Sequence, residues 1–458
     1  MGINSIPWLD NQGQLRLDEL QMREGRLVTG EPRIGDLSAL SGQLERIIVP
    51  GYIDAHVHFR QPGQAYKEGI ANGCLAALAG GVTTVLDMPN TVPPTCSAAA
   101  LKAKRRLWAA RSRVGWGLFV GYNNPEPEHS NLGRPGFALD SAFAGHTPAS
   151  LGIDPAGIAA LKVFMARSGA CAALTDPEHL ATLMLKWPRI AVHAEDETAF
   201  PSVTTGLSHE ERRPRSAVIS ALKKLERAFE IAGHRLGRLS GCRLILLHLA
   251  TREEVEWARR MKDLGYDLVA ETCPHYLYFT NEDLAEYGAQ IQVNPPLRDA
   301  EDQAALWQGL ADGTIDMVNS DHAPHTLGEK ASANPPSGIP GIERMWPLLA
   351  LAADSGRISW RRALAVAGQN AANCYGLADR GELVDGARAD LVVLRRNNAA
   401  GGVLSRKIVT RAGYDAYRHL KFPWEIERVF IAGQTAWEQS TARAVPLAEE
   451  AYAVKSSC

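Results

Sequence analysis

Eight short apolar runs recur between residues 52 and 321, at 52–58, 82–88, 114–121, 158–165, 189–195, 243–250, 267–273 and 315–321. Most are rich in Val, Ile and Leu, the composition of strands covered on both faces. Between them lie stretches with helical periodicity, at 67–79, 98–110, 216–236, 252–264 and 300–311, and two more follow at 342–354 and 359–374. Strand alternating with helix makes a parallel sheet, and eight repeats close a (β/α)8 barrel of the TIM type, an α/β fold.

The two ends of the chain carry a different pattern. Residues 1–49 hold short runs such as LRLDELQMREGRLV and LERIIV, and residues 376–440 hold the strand–turn–strand signals GELVDGARADLVVL and IERVFIAGQTAWE. This predicts a barrel over 50–375, a small flanking β-sandwich domain built from 1–49 and 376–440, and a loosely held tail over 441–458. The Pro/Gly/Ser-rich stretch 330–341 follows the eighth run, so it should form a loop on the active face of the barrel.

Composition narrows the setting. Of 458 residues, 45% are apolar and 22% charged, as in ordinary globular proteins. The formal charge of −2 argues against a nucleic-acid partner, which would call for a basic face. No run nears the roughly 18 apolar residues that would cross a membrane, and MGINSIPWLDNQGQ lacks the charged-then-apolar signature of a secretion signal. MGINSI fits a myristoylation pattern, a match too short to carry weight. The seven cysteines, 74, 96, 171, 242, 273, 374 and 458, are unpaired in spacing, as expected of reduced thiols in a cytoplasmic protein. Cys273, in ETCPHY, reads as a small buried strand residue.

Five of the runs end on a candidate metal ligand: IDAHVH (His56, His58), LKVFM (Lys162), IAVHAED (His193), LILLHLA (His248) and MVNSDHAPH (Asp321). In a strand, residues i and i+2 share a face, so His56 and His58 can both point inward. Four imidazoles and a carboxylate suit Zn²⁺ or a similar divalent ion, and strand ends converge at the C-terminal mouth of a barrel. Lys162 is costly there as a buried ammonium. Reaction of its amine with CO₂ would make a carbamate, an anionic ligand with two oxygens able to bridge two ions.

The segments GYIDAHVHFRQPG, YKEGIANGCLAALAGGVTTVLDMPNTVPPT, LKVFM, VHAED, LHLATREE, ETCPHYL, QVNPPLR and NSDHAPHTLGEKA resemble the dihydroorotases of the amidohydrolase superfamily over almost the whole chain. The resemblance implies reversible cyclisation of N-carbamoyl-L-aspartate to L-dihydroorotate, a step of pyrimidine synthesis. It implies two Zn²⁺ ions bridged by carboxylated Lys162 and a hydroxide. His56, His58, Lys162 and Asp321 would hold one ion, and Lys162, His193 and His248 the other, with Asp321 also the catalytic proton carrier. By the same resemblance Arg60, Asn90 and His325 would grip the substrate carboxylate, while Asn294 and the backbone around Pro340 and Gly341 would touch the ring. A guanidinium suits a carboxylate by bidentate hydrogen bonding.

Gln61 departs from the family, where many members have Glu, and Asp176 in ALTDPEH is a rival to Lys162 as bridging group. A homo-oligomer and association with aspartate transcarbamoylase are further expectations. The alternatives are another cyclic amidase, an allantoinase or hydantoinase, and a non-catalytic dihydroorotase-like subunit of aspartate transcarbamoylase. The last should have lost metal ligands, and all six are present.

Overall fold

The computed structural model describes residues 3–36, 43–122, 157–237, 241–377, 379–399 and 407–440, with a few positions between and beyond these stretches. Its centre is a parallel barrel: β1 (Tyr52–Val57), β2 (Val82–Asp87), β3 (Gly115–Leu118, continued by Val120–Gly121), β4 (Leu161–Phe164), β5 (Arg189–His193), β6 (Arg243–Leu249), β7 (Leu268–Thr272) and β8 (Met317–Val318). Neighbours pair in parallel from β1 to β8. The barrel closes through a parallel bridge between Val57 and His322, where the His58 amide donates to the His322 carbonyl at 2.9 Å. These strands are buried at nearly every position, which is why they read as apolar runs rather than alternating ones.

Helices cover the barrel, and their ends explain where they begin. Ser97 caps Ala98–Arg111 with its hydroxyl on the Ala100 amide, and Thr251 and Glu254 form a reciprocal capping box on Arg252–Asp263. Gln61 accepts from the Ile70 amide at 3.1 Å and so tethers the start of Ile70–Ala79. Helix Pro177–Lys186 was not anticipated, and Asp176 is its N-cap, accepting from the Glu178 and His179 amides. That engagement makes Asp176 a helix cap rather than a bridging ligand. The expected helix over 359–374 is interrupted by one π-turn at Ala365–Gln369.

The chain ends meet in one sheet. Its order runs Arg443–Ala444, Gln434–Glu438, Trp424–Ile431, Leu391–Arg396, Arg46–Pro50, Trp8–Leu9, Leu15–Arg16 and Ile34–Gly35. A hairpin of Leu20–Arg23 and Arg26–Thr29 shares a second core with it, in which Trp8, Leu20, Leu27, Ile48, Leu391 and Val393 are buried. Of the expected tail, Arg443–Ala444 pairs with Trp437–Glu438; the rest lies outside the described residues.

Sheet and barrel are locked together behind β1. Trp346 donates its indole N–H to the Pro50 carbonyl at 3.0 Å. Gly80, which ends Ile70–Ala79, sits so close to the 342–343 backbone that an added Cβ would fall 1.9 Å from the Ile342 carbonyl oxygen. Gly80→Ala should therefore force the backbone apart and lower unfolding stability by about 1–3 kcal/mol, measured as a fall in the denaturation midpoint.

Candidate metal centre and substrate cavity

The mouth of the barrel at the strand C-termini holds a cavity of about 350 Å³. His56, His58 and Asp321 come together there: His56 Nε2 and His58 Nε2 lie 3.3 and 3.0 Å from Asp321 Oδ1. The other ring nitrogen of each histidine is anchored, His56 Nδ1 by Glu271 at 2.6 Å and His58 Nδ1 by the Asn90 side-chain oxygen at 2.7 Å. Such partners fix the tautomer and turn Nε2 toward the axis as a free donor. Glu271 comes from β7 and is itself held by Asn319 at 2.7 Å.

A second pair faces the first. His193 Nδ1 and His248 Nε2 are 2.8 Å apart, and His193 Nε2 is 2.9 Å from Glu195. Arg213 grips Glu195 at 2.5 Å. Burial works to raise the Glu195 carboxyl, but Arg213 and His193 outweigh it and hold it down to about 2. Lys162 lines the same cavity, its Nζ buried without a hydrogen-bond partner and 4.6 Å over the Phe164 ring. Burial pulls its amine down to about 7.

Three of these placements depend on unusual backbone. Arg60, His248 and Asp321 have φ of 60°, 42° and 42°, a region that side-chain-bearing residues seldom adopt. At His248 the β6–β7 register shifts between Leu246 and Leu249, a bulge that re-aims the imidazole into the mouth. Strain of about 1–3 kcal/mol per residue collects at sites where the side-chain direction is functional.

The donor set fits divalent ions. Burial holds His58 down to about 4 and His248 well below its ordinary value, so both are neutral. Burial works to raise Asp321, but His56 and His58 overcome it and keep it ionised. Neutral imidazoles and an anionic carboxylate are the forms a metal requires. His56 shifts the other way: burial works to lower it, but Asp321 and Glu271 outweigh that and raise it. Burial shifts the orphaned Lys162 amine toward neutrality, which fits conversion to a carbamate.

Beside the ligand cluster, the cavity wall carries a group of donors suited to an anion. Arg60 Nη2 is 3.1 Å from His325 Nε2, and Arg60 Nε is buried without a partner. Lys67 Nζ lies 3.1 Å from His325 Nδ1 and 2.9 Å from Glu329. Lys330, also buried, donates to the Pro336 carbonyl at 2.9 Å and secures the loop that follows β8.

Other expected residues are placed differently. Asn90 does reach the cavity, but its oxygen is spent on His58 and its amide nitrogen is 3.2 Å from Ser168. Asn294 lines the cavity with its side-chain oxygen unpartnered. Pro340 and Gly341 do not line it. The Gly341 amide points to His322 Nδ1 at 3.3 Å, and the loop faces the cavity through Pro336, Ser337 and Gly338 instead. Gly338 has φ 125°, and a Cβ there would sit 2.4 Å from the Ala323 carbonyl oxygen, so the backbone can run this close only as glycine. Sequence reasoning also passed over Lys67, Glu195, Arg213, Glu271 and Glu329. Glu195 was within reach, two residues beyond His193 and just past the end of β5.

Comparison with known proteins agrees with this geometry. The amidohydrolase family model matches residues 47–146 and 226–436. A dihydroorotase from Halobacterium salinarum is 36% identical over 79% of this chain and 81% of its own length. One from Anoxybacillus flavithermus is 32% identical over 84% and 86%. Among solved structures, L-hydantoinase from Arthrobacter aurescens superposes with a TM-score of 0.77 at 24% identity, covering 98% of each chain. Dihydropyrimidinase from Brevibacillus agri gives 0.77 at 21% identity, over 95% of this chain and 94% of its own. Barrel, ligand cluster and sequence similarity converge: the chain belongs to the amidohydrolase family, in its dihydroorotase branch.

Proposed function

We propose that this protein is a dihydroorotase, interconverting N-carbamoyl-L-aspartate and L-dihydroorotate. The observation that carries the reading is Arg60, half-buried in the cavity wall, its buried Nε unpartnered and its Nη2 beside His325. An open guanidinium donor beside the ligand cluster suits a cyclic amide bearing a carboxylate. Hydantoin-type substrates often lack one and would leave the buried Arg60 Nε unpaired, at a cost of about 1–3 kcal/mol.

His56, His58, Lys162 and Asp321 would hold one zinc ion, and Lys162, His193 and His248 a second, with Lys162 as carbamate and a hydroxide between the ions. Bound there, the pair would supply Lewis acidity to activate water and polarise the ring carbonyl. The residues do the rest. Arg60 and His325 donate to the substrate carboxylate, assisted by the Asn90 amide, while Asn294 and the Ser337–Gly338 backbone flank the ring. In ring opening, an Asp321 carboxylate oxygen takes the proton of the attacking water as the C–O bond forms. It delivers that proton to the ring nitrogen as the C–N bond breaks. In cyclisation the carbamoyl nitrogen gives its proton to Asp321 as it attacks the protonated side-chain carboxyl carbon, and Asp321 returns that proton to the departing hydroxyl, which leaves as water.

Zinc content per chain, measured alongside turnover of L-dihydroorotate, allantoin and 5-substituted hydantoins, tests this. About two equivalents of zinc with preference for dihydroorotate is the expected result; preference for a carboxylate-free ring would overturn it. The same reading makes residues 50–375 the catalytic barrel and 1–49 with 376–440 its companion domain. It places the enzyme in the cytoplasm as a homo-oligomer, with aspartate transcarbamoylase as a possible partner. Among the described residues no helix is long and apolar enough to cross a membrane.

A further inference from the structure

Lys67 is buried in the cavity wall within the anion-binding group, yet it does not belong to the ligand cluster and no contact with the substrate carboxylate was assigned to it. Its ammonium is fixed from behind by Glu329 at 2.9 Å. Glu329 is fixed in turn by the Thr326 amide at 3.0 Å and by Tyr66 at 3.1 Å. In front, Lys67 Nζ meets His325 Nδ1 at 3.1 Å, while Arg60 Nη2 meets Nε2 of the same ring at 3.1 Å.

These two contacts are in conflict. Lysine and arginine only donate hydrogen bonds, and a neutral imidazole has a single acceptor nitrogen. Flanked by Arg60, Lys67 and Lys330 and largely buried, His325 is held neutral. Only one of the two cations can therefore donate to it. The other faces an N–H, and that arrangement becomes favourable only with an acceptor between the two donors. Lys67 is the cation tied in place, whereas Arg60 still has a buried Nε without a partner.

From this we infer that Lys67 is a positioning residue. By donating to Nδ1 it sets the His325 tautomer, so that Nε2–H and the Arg60 guanidinium form a paired donor site closed by the substrate carboxylate. The inference rests on the proposed dihydroorotase reading, and it adds a tautomer-setting lysine, 258 residues from its histidine, to that site.

A double-mutant cycle on the zinc-loaded enzyme with L-dihydroorotate as probe decides it. Lys67→Met should raise KM about tenfold, equivalent to about 1.4 kcal/mol, with kcat within about twofold, the signature of lost uniform binding. Lys67→Arg should recover most of that loss. His325→Gln presents a fixed N–H near the Nε2 position with no tautomer to set. In that background Lys67→Met should change KM less than about twofold. Equal factors in both backgrounds would mean that Lys67 acts on the substrate directly or by charge alone, and would overturn the inference. A fall in kcat at constant KM would overturn it as well. Glu329→Gln, which frees the ammonium without removing it, should raise KM about threefold and serves if Lys67→Met does not fold; an unchanged KM there counts against the inference. Wild-type enzyme inactive on dihydroorotate would instead sink the parent reading, a result seen before any variant is made.

Discussion

Asp321→Asn should lower kcat for L-dihydroorotate by about 10²–10⁴-fold, the usual range for loss of a positioned proton carrier, while leaving zinc content close to that of the wild type. The amide keeps a side-chain oxygen where Asp321 Oδ1 lies between His56 Nε2 and His58 Nε2, so a ligand atom remains. What disappears is the ability to take up a proton and return it to the ring nitrogen. Steady-state kinetics in both directions, paired with metal analysis, separates the two roles. Near-normal turnover with metals in place would remove Asp321 from the proton path.

Lys162→Ala should cost more than metal affinity alone. On the proposed reading it deletes the carbamate that bridges both ions, and with it several kcal/mol of transition-state stabilisation, about a thousandfold or more in turnover. The truncation leaves a gap beneath Phe164, so a short carboxylic acid added to the medium should restore part of the activity by standing in for the carbamate. Failure of any carboxylate to rescue, with activity retained by the variant, would argue against a bridge. The wild type offers a pH test of the same idea. Burial lowers the Lys162 amine to about 7, so below that value the ammonium dominates and cannot attack CO₂, while above it the free amine can. Bicarbonate-dependent zinc uptake by metal-stripped protein should thus be faster about one unit above this value than about one unit below it.

The barrel was legible because its strands are covered on both faces and announce themselves as apolar runs, and because ligands at strand ends follow the period-2 geometry of His56 and His58. The sheet domain was legible as a pattern but not as a strand order, since the pairing of Arg46–Pro50 with Leu391–Arg396 spans the whole barrel in sequence. His248 was found by its place in LILLHLA, yet the bulge and positive φ that aim it leave no trace in composition. Helix Pro177–Lys186 hides behind a proline and an aspartate that look like a loop; they are an N-cap and a first-turn residue. Asp176 illustrates how one carboxylate can be either ligand or cap until its amide partners are seen. Within the Pro/Gly-rich loop, the residues lining the cavity are Pro336, Ser337 and Gly338 rather than Pro340 and Gly341, because such a composition states that the chain turns, not which residues face inward. Glu271 and Lys67 were missed for another reason: each acts on a histidine far away in sequence, and that contact exists only after the barrel has closed.

The closing seam of the barrel joins events that could have been separate. His322, directly after Asp321, bridges Val57 on one edge and Ile339 on the other, and the Ala323 amide donates to the Ile339 carbonyl at 2.9 Å. The strand end that presents Asp321 is thus continuous with the loop carrying Ser337 and Gly338. On the dihydroorotase reading, ion occupancy and loop order would share one free energy, and such coupling is reciprocal. Substrate resting against the loop would raise the affinity for the ions, and the ions would raise the affinity for substrate by the same factor.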